Sequence, residues 1–323
     1  MNKAKQPSLQ KSENSGRISK LTIVILVIVL AFILSVSTGT FFSYSNLYSI
    51  LFGVSIQFFA LIGFTYLMIM GEIDLSVGAL YGFGGALLGV LMIVLKIPFV
   101  PALVLTLIVA VLIGFINGYL VVRFRINSLM VTLGMMSIAK GLTSALSTSL
   151  GAAIFPSVYR DLIKIRLLDI HWSIIAFIII VIVLEILLYK TSVFKKLYYV
   201  GNNIETAKIY GIKAGRIKVI AFIVSAVLAV FGGILATSRI THAYPTTGEG
   251  LEFTFVTAAV LGGASLYGGK GSILRSALGL LFIAIMQNGM IIYKIDPYFQ
   301  TVVLGLILIV AVFVDTSLNK KRA

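Results

Sequence analysis

The chain has 323 residues, 59% of them hydrophobic and 11% charged, with a mean hydropathy of +1.08. A soluble domain carries roughly 25% charged residues and needs at least ~50 residues outside any membrane, so this composition describes a polytopic membrane protein and leaves no stretch for a separate soluble domain. The net charge of +15 comes from basic residues between apolar runs, which fits topology and lipid headgroups and not nucleic acid. The absence of cysteine excludes disulfides, thiolate metal sites and cysteine nucleophiles.

In chain order, residues 1–20 form a basic tail carrying Lys3, Lys5, Lys11, Arg17 and Lys20. The apolar run that follows has only Ser35-Val36-Ser37 as a faint cleavage-like site, so it is expected to stay as a first span. A helix crossing the ~30 Å hydrocarbon core needs about 20 apolar residues. Ten such runs are predicted: 21–38, 47–70, 78–95, 99–122, 129–148, 171–189, 219–238, 253–267, 273–293 and 298–315. The eighth is short enough to be re-entrant. The expected architecture is an all-α polytopic membrane protein of about ten transmembrane helices, with broken or re-entrant segments; a division into two related halves is left open. Residues 21–315 form its transmembrane domain, and 316–323 a short C-terminal tail. With the N-terminus in the cytoplasm, nineteen Lys and Arg fall inside and six outside, seven of the nineteen in the 190–218 loop. That bias predicts both termini and the 190–218 loop inside, with 149–170 outside.

The most unusual break is Gly71-Glu72-Ile73-Asp74-Leu75-Ser76-Val77-Gly78, two acids and a serine bracketed by glycines between apolar runs. Irregular polar backbone is tolerated at membrane depth only where protein or water surrounds it. Asp74 and Ser76 can cap the third span or line a pathway; a cap does not need Glu72. Gly262-x-x-Ser265-Leu266-x-x-Gly269 resembles this stretch, and Asn117-Gly118 and Asn288-Gly289 extend the comparison to a possible duplication. Lys140 lies within the fifth span, either snorkelling outward or facing a cavity with Thr132, Ser137 and Thr143. Gln57, Asn117, Asn127, Gln287, Asn288 and Gln300 stand in or at the edges of spans, where they can pair helices or line a route for a neutral polar solute. Apart from Lys140, Glu72 and Asp74, ionisable groups that could couple an ion are not evident. This suits a sugar better than an ion.

In the 190–218 loop, Asn202 is expected to cap a two-turn helix with Glu205 completing a capping box, and Gly211 to end it. So short a helix is marginal alone in water and should dock on something. Ser265-Leu266-Tyr267-Gly268-Gly269-Lys270-Gly271-Ser272 nearly matches a phosphate-binding loop, but Ala264 replaces its first glycine, Gly271 follows Lys270, and no strand precedes it. Nucleotide binding by this chain is therefore rejected. His171 and His242 have no partner at a metal-ligand spacing, and no catalytic constellation stands out. No cofactor, metal or enzymatic activity is expected.

Four segments carry a resemblance: Gly71–Gly78, Val131-Thr132-Leu133-Gly134-Met135-Met136-Ser137-Ile138-Ala139-Lys140-Gly141, Gly201–Ile212 and Leu261–Ser272. Together they resemble the membrane permease subunit of bacterial ABC sugar importers of the ribose, xylose and arabinose type, related to branched-chain amino acid permeases. Glu72 stands where that family usually has glycine, and Ser128 where it has proline. The resemblance implies a bacterial cell-membrane permease dimer, with a second permease subunit as homo- or heterodimer. It also implies a cytoplasmic ABC ATPase subunit and an extracytoplasmic solute-binding protein. On it, Gln57, Glu72, Asp74, Ser76, Asn117, Asn127, Thr132, Lys140, Asn288 and Gln300 are candidate pathway residues. Asn202, Glu205, Ala207, Lys208, Tyr210 and Gly211 form the candidate ATPase-coupling helix, and Glu249 and Glu252 are candidate docking contacts for the binding protein. The alternatives are a stand-alone secondary transporter or facilitator, an ABC permease for a non-sugar solute such as a nucleoside, and a membrane scaffold or receptor.

Overall fold

The computed structural model describes residues 9–151 and 153–320. The chain runs through α1 (Leu9–Ser37), α2 (Tyr44–Ile69), α3 (Ser76–Ile93), α4 (Phe99–Arg123), α5 (Ser128–Leu150) and the short α6 (Ser157–Asp161). A two-stranded hairpin follows, β1 (Arg166–Leu167) and β2 (Ile170–His171), then α7 (Trp172–Lys190), α8 (Ser192–Asn202) and α9 (Ile204–Ile209). The last four helices are α10 (Ala214–Ile240), α11 (Leu251–Leu261), α12 (Ile273–Ile292) and α13 (Pro297–Lys320). Among the described residues, eight helices are long and apolar enough to cross a membrane; Thr22–Ser37 and Leu251–Leu261 are shorter apolar helices. The ten expected runs correspond to these ten elements.

Three boundaries differ from expectation: α13 continues to Lys320, into the expected 316–323 tail. α1 begins at Leu9, inside the basic tail, while residues 1–8 of that tail lie outside the described residues. The eighth run, expected over 253–267, is helical only over Leu251–Leu261. Eleven residues rise about 16 Å, roughly half the hydrocarbon core, so α11 is a half-length helix. Its helix stops because Gly263, Gly268 and Gly269 turn the backbone into the left-handed region.

α2 is the hub, buried at every position from Phe58 to Ile69. It packs beside α10, α12 and α7, and α10 also covers α3 and α4. Glycine permits the closeness. A methyl at Gly63 would lie 2.4 Å from the Ser225 Cα, and one at Gly233 would lie 1.6 Å from the Tyr81 carbonyl oxygen. Helices in lipid gain little from hydrophobic burial against each other, so such small-residue seams provide their packing. α4, α7 and α13 turn Ile108, Leu112, Ile179, Ile182, Ile309 and Phe313 outward as an apolar belt. α5 is the exception: Gly134, Ser137, Gly141, Ser144 and Thr148 are exposed along one of its faces.

Candidate functional site

After α2, Gly71 takes a positive φ of 74° and the chain runs without helix to Leu75, so α3 starts beside the middle of α10. Asp74 is fully buried there. Its Oδ1 accepts from the Ser76 backbone N–H at 3.0 Å and the Ser76 hydroxyl at 2.5 Å; its Oδ2 accepts from the Ser225 hydroxyl at 3.1 Å. Asn117 Nδ2 donates to Ser76 Oγ at 3.3 Å, leaving its own buried Oδ1 without a partner. The strap is pinned from the other side by α5: Leu75 N–H donates to Thr132 Oγ1 at 3.1 Å and Ile73 N–H to Ser128 Oγ at 3.3 Å. Glu72 forms an ion pair with Lys218, both largely buried. Glu72, Asp74, Ser76, Asn117 and Thr132 are thus brought together, as a closed polar core. The formal N-cap of α3 is Leu75, which makes no side-chain cap bond.

The other candidate pathway residues lie apart from this core. Asn127 is exposed and caps α5, accepting from Leu129 N–H at 2.8 Å. Asn288 exchanges hydrogen bonds with Asn46 at 3.0 and 2.7 Å, tying α12 to the start of α2. Gln300 donates to the Ile295 carbonyl at 3.0 Å, and Gln57 is half-buried on α2. The two Asn-Gly pairs therefore occupy unlike settings.

Lys140 is where the second polar cluster forms. From the end of α10 the chain turns back and descends along α3. The Thr247 carbonyl oxygen lies 2.1 Å from the place of a methyl at Gly82, and the Gly248 carbonyl oxygen 2.8 Å from that at Gly78. This descent brings Glu249 and Glu252 to Lys140, each Oε1 3.9 Å from its Nζ. The Lys140 side chain is 38% exposed, that of Glu249 62% and that of Glu252 2%. Glu252 was expected at an outer docking face; it is buried at the start of α11, where the descending segment carries it inward. Its Oε2 has no hydrogen-bond partner and packs against Gly78.

At the opposite end of the bundle, α8 and α9 meet backbone-packed loops. A methyl at Gly201 would lie 2.0 Å from the Ile69 carbonyl oxygen, which also accepts from Gly269 N–H at 2.8 Å. Tyr198 donates from its hydroxyl to the Gly271 carbonyl at 2.9 Å, and burial raises the Tyr198 pKa above its usual value. Gly268 abuts Gly71 in the same junction, so the two similar glycine-rich stretches touch. The expected cap is corrected here. Asn203, with extended backbone, caps α9 by accepting from Thr206 N–H at 2.9 Å. Asn202 is the last residue of α8, its Oδ1 packed on Gly269. Glu205 makes no capping box; it pairs with Lys208 at 2.7 Å, and this hydrogen bond holds its carboxyl below the usual carboxylate range. Gly211 ends the turn with φ 72° as expected. Ile209 and Tyr210 are 84% and 80% exposed, and a cavity of about 570 Å³ between α8 and α9 is lined by Lys195, Tyr199, Asn203, Thr206 and Tyr210.

Sequence reasoning missed three groups. Ser225 and Lys218, from α10, complete the Asp74 and Glu72 contacts. Glu185, an acid inside the sixth apolar run, accepts from the Ser272 hydroxyl at 2.7 Å and the Leu274 N–H at 3.0 Å, holding the start of α12. A lone carboxylate in such a run was itself the available signal.

Residues 46–312 match the family of branched-chain amino acid transport system permease components. The chain belongs to that family. It is 32% identical to the ribose import permease of Bacillus subtilis over 317 residues, covering 95% of each chain. Against the L-arabinose ABC transporter permease of Azospirillum brasilense it is 33% identical, over 95% of this chain and 90% of that one. Against the D-allose transport system permease of Escherichia coli it is 30% identical, over 93% of this chain and 92% of the other. No solved structure matches. The chain is therefore a membrane permease subunit of the ABC-importer type, and the helical bundle is the body of that permease.

Proposed function

We propose that this permease carries a monosaccharide, or a closely related neutral polyol, into a bacterial cell through its cell membrane. A separate cytoplasmic ATPase would drive it and an extracytoplasmic binding protein would supply it. The observation that carries this reading is the end-to-end similarity to ribose, arabinose and allose permeases. The charge bias supports an orientation with both termini and the α8–α9 region in the cytoplasm. There, exposed Ile209 and Tyr210 beside a groove suit a protein partner better than water. α9, from its Asn203 cap to Gly211 and including Ala207 and Lys208, is then the coupling element on the ATPase. The 149–170 segment is the candidate for binding-protein contact. A second permease subunit completes the assembly. The test is uptake of radiolabelled D-ribose, L-arabinose and D-allose into vesicles holding the permease with its neighbouring ATPase and binding protein. ATP-dependent uptake of at least one is expected; uptake of none, or uptake without the ATPase, overturns the reading.

A further inference from the structure

Along the polar face of α5, two features stand in sequence from its outer end inward. The first is a cavity of about 350 Å³ between that end and the returning chain, lined by Ser147, Thr148, Gly151, His242, Tyr244 and Pro245. Small-molecule sites typically measure ~300–1,000 Å³, so it suits one small ring. Ser147 is 4% exposed and its Oγ has no hydrogen-bond partner. An orphaned buried hydroxyl is costly unless something else completes it. Tyr244 and His242 stack at 5.9 Å with an interplanar angle of 26°, which offers a flat aromatic wall.

The second feature is the Lys140, Glu249 and Glu252 cluster, seven residues or about 10 Å along the helix from Ser147. Its separations of 3.9 Å are longer than hydrogen bonds, and the two carboxylates outnumber the one ammonium. Around it α5 exposes Ser137, Gly141 and Ser144, and a methyl at Gly141 would meet nothing within 4 Å. Charges at membrane depth that are neither tightly paired nor sheathed by apolar side chains require water or a polar ligand.

We infer that the cavity is an outer solute subsite for a neutral polyhydroxylated ring, and that the Lys140–Glu249–Glu252 cluster below it is a charge filter. An aromatic wall beside the one unpartnered hydroxyl, that of Ser147, fits the C–H face and hydroxyl rim of such a ring. A cluster with an excess negative charge disfavours anions, such as phosphorylated or carboxylated analogues, while its carboxylates accept from solute hydroxyls. The ring class rests on the monosaccharide reading above; the aqueous site and its charge do not.

The absence of cysteine makes a direct test available. Ser147→Cys and Ser137→Cys, on either side of the cluster along α5, are placed singly in the permease assembled with its ATPase in nanodiscs, where both faces are accessible. Each is reacted with a cationic and an anionic methanethiosulfonate of similar size. Both reagents should modify Ser147→Cys, and the cationic one should react faster at Ser137→Cys. Adding Glu249→Gln and Glu252→Gln should lower that cation preference by on the order of fivefold, and Lys140→Met should raise it. Unreactive cysteines, or rates indifferent to these charges, overturn the site. D-ribose, L-arabinose or D-allose at millimolar concentration should slow modification of Ser147→Cys. Reaction and charge dependence without protection by any of the three would keep the filter and overturn the sugar subsite. If uptake of one of the three persists in that case, the function stands and only the subsite falls.

Discussion

Asp74 and Glu252 are both acids buried within the helical bundle, and both lie against the first turn of α3. Asp74 has three donors on its two oxygens, from Ser76 twice and Ser225 once, and no exposed surface. Glu252 shares Lys140 with Glu249 at a distance too long for a hydrogen bond, and its second oxygen has no donor. A saturated buried network rigidifies, whereas a half-satisfied one is costly unless something else completes it. The difference places Asp74 in the frame that holds α3 and α10 together; under the proposed charge filter, Glu252 is left to act on the moving solute.

The largest expected effect lies in the frame itself. Gly233→Leu forces a side chain into the Tyr81 backbone, where a Cβ already stands 1.6 Å from the carbonyl oxygen. No monodisperse permease should survive size-exclusion chromatography after solubilisation; a normal yield with normal uptake would dissolve the idea that α3 and α10 form one rigid seam. On the other side of the comparison, Glu252→Gln removes an excess charge and puts an amide beside the Gly248 carbonyl that shares the Gly78 surface. Thermal stability should hold or rise, because a buried carboxylate with one oxygen lacking a donor and only a long ion pair to Lys140 is replaced by a neutral amide. Uptake per assembled complex should fall on the order of tenfold, the equivalent of ~1.4 kcal/mol of solute interaction.

Smaller effects belong to the α8–α9 end. Gly211→Val places a β-branched residue at φ 72°, costing ~1–2 kcal/mol locally. It should weaken co-purification of the ATPase while leaving the melting temperature of the permease alone unchanged. Asn203→Ala removes the cap of α9 at a cost of ~1 kcal/mol, with a proportionately smaller loss of ATPase association. A similar loss from Glu205→Ala would restore the capping-box reading that the geometry displaces.

The ten helical elements were legible because apolar runs of membrane length have few other uses, and the short eighth run betrayed its own half-length helix. The 71–78 break was legible for the same reason, since polar residues interrupt a run only at a cost. Their environment was not. Whether Asp74 faces a route or a closed core depends on Ser225, one serine in the apolar middle of a helix 151 residues away. Lys140 was visible as an oddity, but its partners Glu249 and Glu252 sit in a segment whose descent along α3 depends on Gly78 and Gly82 leaving room for its backbone. Asn202 and Asn203 are chemically equal as caps; only the extended backbone of Asn203 decides between them. The contact of Gly71 with Gly268 arises from tertiary packing, which local pattern does not encode.

The division between frame and pathway is tested most directly by measuring melting temperature and uptake per assembled complex for Asp74→Ala and Glu252→Gln side by side. Uptake is read with whichever of D-ribose, L-arabinose and D-allose the intact importer carries. Asp74→Ala leaves the Ser76 and Ser225 hydroxyls without their acceptor, at ~1–3 kcal/mol for each unsatisfied group. It should lower the melting temperature while the complexes that do assemble transport at near wild-type rate. Glu252→Gln should do the reverse, keeping the melting temperature and losing uptake. A stable Asp74→Ala permease that cannot transport, or an unstable Glu252→Gln permease that transports normally once assembled, would contradict the account.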